Sequence, residues 1–293
     1  MMRLLLLGKF GQLGWELQRA LATLGEITAL DYPEIDLVHA EQIRPVIRKA
    51  KPHIIVNATA YTAVDKAESE PHIAHAINAQ AVGVIAEEAR RLGASLVHYS
   101  TDYVFDGTKE SAYAEDDRTN PLGVYGQSKL AGEQAIQAIG GSFLILRTSW
   151  VYSMRRDSFV SKVLEWSRRQ TTMRVVQDQV SNPTWCRMLA EITSQMLAMA
   201  GEHSSKWLSE RSGIYHLAGW GYASRFEWAQ VILANDPKRE EQAIQELHPA
   251  LTSEFPTPAQ RPLFSALNCD RFADTFGLKL PAWQDALRLA MES

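Results

Sequence analysis

Arg3-Leu4-Leu5-Leu6-Leu7-Gly8-Lys9-Phe10-Gly11-Gln12-Leu13-Gly14 is the stretch that decides the fold. Its leucine run reads as a strand apolar on both faces, as strands of a parallel sheet are. Gly8, Gly11 and Gly14 then form the pattern GxxGxxG. Leu13, Leu17, Leu21 and Leu24 follow at helical spacing. Strand, glycine turn and helix in that order suit a dinucleotide. Glycines let the backbone approach a pyrophosphate, and a helix N-terminus offers it free N–H groups. The plainer reading is a tight turn that uses glycine only for packing.

The same alternation continues outward. Ile27–Asp31 reads as a second strand, His53–Asn57 as a third, Ser95–Ser100 as a fourth and Phe143–Thr148 as a fifth. Helical patterns lie between them, at about Glu41–Lys51, Ile73–Leu92 and Tyr125–Ile139. Strands alternating with helices predict an α/β fold with a doubly wound parallel sheet over residues 1–150. Residues 151–293 read as a smaller substrate-binding lobe, with some segments returning to the sheet. That half is expected to hold helices at about 157–169, up to 200, 224–234 and at the C-terminus. Strands are expected near Met173–Val176 and Gly213–Leu217. Asp178–Thr184 and the proline-rich Pro256–Pro262 read as loops.

Composition narrows the function. The chain has 293 residues and a formal charge of −4, with no basic run, which excludes an ordinary nucleic-acid binder. No apolar run approaches the roughly 20 residues of a membrane helix. Met1–Leu7 is short and runs into Gly8, so it reads as a strand and not a signal peptide. Cys186 and Cys269 lie far apart without metal-ligand spacing, which suits a reduced, cytoplasmic protein.

Candidate chemistry gathers after the strands. Asp31, about 20 residues past the glycines, suits a ribose 2′-hydroxyl and so NAD. Lys9 pushes the other way, toward the 2′-phosphate of NADP. Asp36 and Leu37 sit where an adenine ring can rest, although capping of the next helix explains Asp36 equally well. Small residues at Ala58–Thr62 permit close backbone approach. His98, within an apolar run, reads as a core residue. Thr101, at the end of the fourth strand, can hold a carbonyl oxygen. Tyr125 and Lys129 are four apart on a helix and share one face. Of the nine tyrosines, only Tyr125 has a lysine four residues later. A nearby ammonium is expected to lower the phenol toward neutral pH and make it a proton donor. Arg261, between two prolines, either contacts a phosphate or is simply solvated.

Six motifs occur in order: Gly8–Gly14, Val56–Glu68, Ser100–Gly107, Tyr125–Lys129, Arg147–Tyr152 and Pro256–Pro262. Together they resemble the dTDP-4-dehydrorhamnose reductase family of the extended short-chain dehydrogenase/reductase superfamily, nearly end to end. The resemblance implies a Rossmann domain and NADPH or NADH as cofactor. It implies reduction of a dTDP-4-keto-6-deoxy sugar in rhamnose and cell-surface polysaccharide synthesis. By resemblance, Gly11, Gln12, Leu13, Asp31, Asp36, Leu37, Ala60, Tyr61 and Thr62 contact the cofactor. Lys129 binds nicotinamide ribose, and Tyr125 donates the proton. Thr101 and Asp102 touch the sugar, and Trp150 lines its pocket.

Two positions depart from the family. Ser181 stands where the loop pattern has glycine. Some members carry Mg2+ at a dimer interface through acidic side chains; Glu16 fits one such position, but Arg187 occupies another. A guanidinium cannot ligate a hard cation, so the same metal site and the same dimer are not expected here; Mg2+ at Glu16, and monomer or homodimer, stay open. A dehydratase is expected to have glutamate where Tyr103 stands. Another keto-sugar reductase, or a non-catalytic NADP-binding regulatory subunit, remains as an alternative.

Overall fold

The structure, a computed structural model, describes residues 2–201 and 204–292. The chain runs through β1 (Met2–Leu7), α1 (Gln12–Ala20), β2 (Gly25–Leu30), α2 (Ala40–Ala50) and β3 (Ile54–Asn57). Short helices α3 (Val64–Ala67) and α4 (Pro71–His75) lead into α5 (Ala81–Leu92), β4 (Ser95–Thr101), α6 (Val124–Ile139) and β5 (Phe143–Thr148). The second half contains β6 (Val151–Tyr152), α7 (Phe159–Arg169), β7 (Thr172–Val176), β8 (Val180–Ser181), β9 (Thr184–Trp185) and α8 (Cys186–Met199). It ends with α9 (Ser204–Ser209), β10 (Gly213–His216), β11 (Ala223–Ser224), α10 (Arg225–Ala234), β12 (Glu246–Ala250), α11 (Asp270–Phe276) and α12 (Trp283–Met291).

Six strands form one parallel sheet in the order β2-β1-β3-β4-β5-β10. The chain turns back between β1 and β3, and the crevice at such a reversal, at the strands' carboxyl ends, is where open α/β sheets bind ligands. Side chains alternate across a strand, and β1 uses this fully. Leu4 and Leu6 enter one core with Leu13 and Leu17 of α1 and Leu189 of α8. Leu5 and Leu7 enter the other with Ile43 and Ile47 of α2 and Ile85 of α5. Each leucine so buried contributes about 1.5–3 kcal/mol, which accounts for an all-apolar strand.

The turn after β1 is tight. Gly8 has φ +94, a conformation that suits glycine. A Cβ on Gly14 would lie 1.8 Å from the Gly8 carbonyl oxygen, so α1 packs directly on the turn.

Three parts differ from the sequence reading. The helical run expected over 73–92 is interrupted by a π-helical turn at Ala76–Gln80. Such turns recur at functional sites, and this one carries Asn78 inward. Within the loop expected over 178–184, β8 pairs with β11 and β9 with β6. β12 was not foreseen; it carries Pro249 and pairs only with β7, as an edge position permits. Among the described residues, no helix is long and apolar enough to cross a membrane.

Candidate active site

The carboxyl ends of β1, β3, β4 and β5 open into a cleft of about 710 Å3. Gly11, Gln12 and Leu13 line it from the first turn of α1, whose N-cap Gly11 makes no side-chain bond. Ala60 and Thr62 line it from the loop after β3. Thr101 and Asp102 come from β4, Tyr125 and Lys129 from α6, and Trp150 from the segment after β5. Trp150 holds a left-handed φ of 39, a strained backbone for a large residue and one that clusters at functional sites.

Tyr125 and Thr101 come from different elements to one wall of the cleft. Burial pushes the Tyr125 phenol above its ordinary value, and hydrogen bonding with the Thr101 hydroxyl opposes this. The lowering expected from Lys129 is absent. Lys129 Nζ instead donates to the Tyr99 carbonyl at 2.6 Å and lies 3.3 Å from His98 Nε2. Burial lowers the lysine to about 8, and Glu133 works against that. Desolvation sets the direction of each shift. His98 also meets Asn57 at 3.1 Å, so it is a bonded core histidine.

Asp102 is nearly inaccessible, at 2% exposure. It accepts from Ser265 at 2.6 Å, Ser181 at 3.1 Å and Thr101 at 3.1 Å. Burial raises it to about 6, against the pull of these hydroxyls. Ser149 lies 2.5 Å from Ser181, which completes a hydroxyl cluster behind the Thr101 wall of the cleft. The sequence reading noted Ser181 only as a departure and missed Ser265; nothing local to either residue points at Asp102.

The π-helical turn fastens two walls together. Asn78 accepts from Tyr61 N–H at 2.8 Å and donates to Ser128 Oγ at 3.0 Å. The Tyr61 side chain, by contrast, turns away to Glu70 at 2.7 Å.

The remaining candidates lie off the cleft wall. Asp31 accepts from Phe10 N–H at 2.9 Å and Tyr32 N–H at 2.8 Å, which ties the end of β2 to the glycine turn. Lys9 pairs with Glu34 at 2.6 Å. Asp36 accepts from Val38 N–H at 2.9 Å, ahead of α2. Leu37, 8% exposed, belongs to the core. Arg261 is held by Asp65 at 2.8 Å and is not free in solvent. It lines a second cleft of about 470 Å3 with Lys162, Arg174, Arg225 and Phe255. Arg225 stacks 3.9 Å over Trp150 and so joins the two clefts; it too escaped the sequence reading. Glu16 lies in a separate cleft beside Arg19, Arg155 and Arg187. Burial raises its carboxyl, and those three guanidiniums oppose the rise. Three guanidiniums outnumber the two carboxylates, Glu16 and Glu191, in this cleft, whereas a divalent metal needs anionic surroundings.

The main cleft suits a polar ligand. Gln12 Oε1, Ser100 Oγ and Thr148 Oγ1 are buried without a protein partner, and all three residues line it. Buried polar groups ordinarily find partners. Three vacant ones, with the uncapped start of α1, fit a bound dinucleotide.

Residues 2–293 match the model of the RmlD substrate binding domain family. The dTDP-4-dehydrorhamnose reductase of Burkholderia thailandensis is 41% identical over 293 residues, covering 99% of this chain and 98% of that protein. A crystal structure of a dTDP-4-dehydrorhamnose reductase from Clostridium acetobutylicum superposes with a TM-score of 0.90 at 30% identity, covering 99% of both chains. The Bacillus anthracis dTDP-4-dehydrorhamnose reductase, solved in complex with NADP, gives 0.89 at 31% identity over the whole of both chains. Fold, cleft and full-length similarity agree: the chain belongs to the RmlD substrate binding domain family, alongside these dTDP-4-dehydrorhamnose reductases.

Proposed function

We propose that this protein reduces the C4 keto group of dTDP-4-dehydrorhamnose to give dTDP-L-rhamnose, a precursor of cell-surface polysaccharide. The observation that carries the reading is the meeting of Thr101, Tyr125 and Lys129, from two elements, on one cleft wall.

NADPH or NADH supplies the hydride; that chemistry belongs to the cofactor. The chain binds and orients. Gly11, Gln12 and Leu13 receive the pyrophosphate at the start of α1. Asp31 and the loop Ala60–Thr62 border the rest of the dinucleotide, and Lys129 holds the nicotinamide ribose. Thr101 and Asp102 position the sugar against Trp150. Tyr125 gives its phenolic proton to the C4 oxygen as negative charge develops there. A phenol raised by burial stays protonated at neutral pH, so it holds the proton it must give. Arg225 and Arg261 face the adjoining cleft, where paired guanidiniums suit the diphosphate of the sugar nucleotide. The two free cysteines suit a cytoplasmic setting.

The test follows absorbance of reduced nicotinamide with enzymatically prepared dTDP-4-dehydrorhamnose, with NADPH and NADH in turn, with added Mg2+ or a chelator. Substrate-dependent oxidation that yields dTDP-L-rhamnose is expected with chelator present. Dinucleotide binding without oxidation would reject this substrate in favour of another 4-keto-6-deoxy sugar or a regulatory role.

A further inference from the structure

The outer corner of the site, where the glycine turn meets the end of β2, holds a charge cluster with no part in the proton-transfer step. Lys9 Nζ lies 2.8 Å from Glu34 Oε1 and 2.6 Å from Oε2, so one ammonium engages both oxygens. Glu34 Oε2 also accepts from Asp31 N–H at 3.2 Å. Asp31 in turn accepts from Phe10 N–H, next to Lys9. The ammonium rests 5.0 Å from the centre of the Phe10 ring, and the lysine side chain is only 16% exposed. Lys9 and Glu34 are therefore fixed from both sides. The lysine bond holds the Glu34 carboxyl below its usual range.

This corner is where a β-turn-α-β unit receives adenosine ribose. A carboxylate there bonds a 2′-hydroxyl, and a cation there receives a 2′-phosphate. Asp31 supplies the carboxylate. Lys9 is the cation, but both Glu34 oxygens already hold it. A 2′-phosphate, with a charge near −1.5 to −2, must draw Lys9 away from Glu34 and then sit beside two carboxylates. A 2′-hydroxyl meets neither obstacle.

We propose that Glu34 is a cofactor-selectivity residue: by holding Lys9, it weighs against NADPH and in favour of NADH. This rests on the dinucleotide reading above. Asp31, at the expected place for an acidic residue, is only part of the discrimination; Glu34 governs whether Lys9 is available.

Equilibrium titration of the full chain with NADH and with NADPH, read by nicotinamide fluorescence, tests this without turnover. Glu34→Gln removes the carboxylate charge and keeps a polar side chain of similar shape on an exposed site. Its Kd for NADPH should fall about tenfold relative to that for NADH, the scale of removing one like charge at a partly solvated site. The gain should vanish in Glu34→Gln combined with Lys9→Gln. A ratio unchanged within about twofold, or a gain that persists without Lys9, would overturn the role of Glu34 while leaving the reductase reading intact. Failure of the unmodified chain to bind either dinucleotide would overturn both.

Discussion

The two ends of the cleft are built in opposite ways. At the glycine-turn end, one continuous stretch, 8–14, provides the turn, the helix start and the glycine packing, and Asp31 closes it from the neighbouring strand. At the far end, Asp102 is bonded by Ser181 and Ser265, which are 79 and 163 residues away in the chain. Trp150 is overlaid by Arg225, and Arg261 is anchored by Asp65 across 196 residues. A parallel sheet explains the contrast. Each strand-to-helix turn lies at the same edge and forms a local wall, whereas the opposite wall must come from segments that cross over later. One end is a motif and the other an assembly, so substitutions should separate them.

Tyr125 stands where the ends meet, and Tyr125→Phe should have the largest effect. Placed proton transfer is worth about 10²–10⁴ in rate, so kcat should fall by that factor while dinucleotide affinity, read by fluorescence titration, holds. A loss below about tenfold would remove Tyr125 as the proton donor.

Asp102 probes the assembled end through pH. Its folded value is raised to about 6 from 3.8, so the fold favours the protonated form. Stability from this group is full below its ordinary value and is lost as pH rises through about 6. A shift of roughly two units corresponds to about 3 kcal/mol. Urea unfolding of the unmodified chain and of Asp102→Asn should therefore give a stability difference that moves by up to that amount between about pH 4 and pH 7. A flat difference would mean that the hydroxyl cluster fully offsets burial.

Gly14→Ala probes the local end. The added Cβ meets the Gly8 carbonyl, and overpacking of this kind costs about 1–3 kcal/mol. Dinucleotide affinity should weaken while affinity for the sugar nucleotide, measured calorimetrically, changes little. Equal loss of both would show that the ends are mechanically one.

Arg261→Ala should have an effect of comparable size, confined to the other end. Loss of a charged hydrogen bond, about 1.5–3 kcal/mol, should raise KM for the sugar nucleotide at least tenfold or so and leave the dinucleotide Kd alone. An unchanged KM would mean that Arg261 serves only to anchor its loop on Asp65.

Much of the fold was readable before any coordinates. The leucines of β1, the glycine turn and the Tyr125–Lys129 spacing are local patterns with fixed periods, and each appeared where its period placed it. The pairing of β7 with β12 was not readable, because Glu246–Ala250 contains a proline and has no alternation of its own. The sign of the Tyr125 shift was misread for a related reason. Spacing places a lysine one turn away, but only packing determines how far water is removed and that the ammonium turns to the Tyr99 carbonyl.

By itself, then, the sequence determined the strand-turn-helix order, the doubly wound sheet and the glycine turn at the mouth of the cleft, because those follow from short-range periodicity and backbone sterics. The tertiary structure alone decided the hydroxyl cluster around Asp102, the joining of the two clefts through Arg225 and Trp150, and the capture of Lys9 by Glu34. Hydrogen bonds and burial among side chains brought together by folding leave no trace in local spacing.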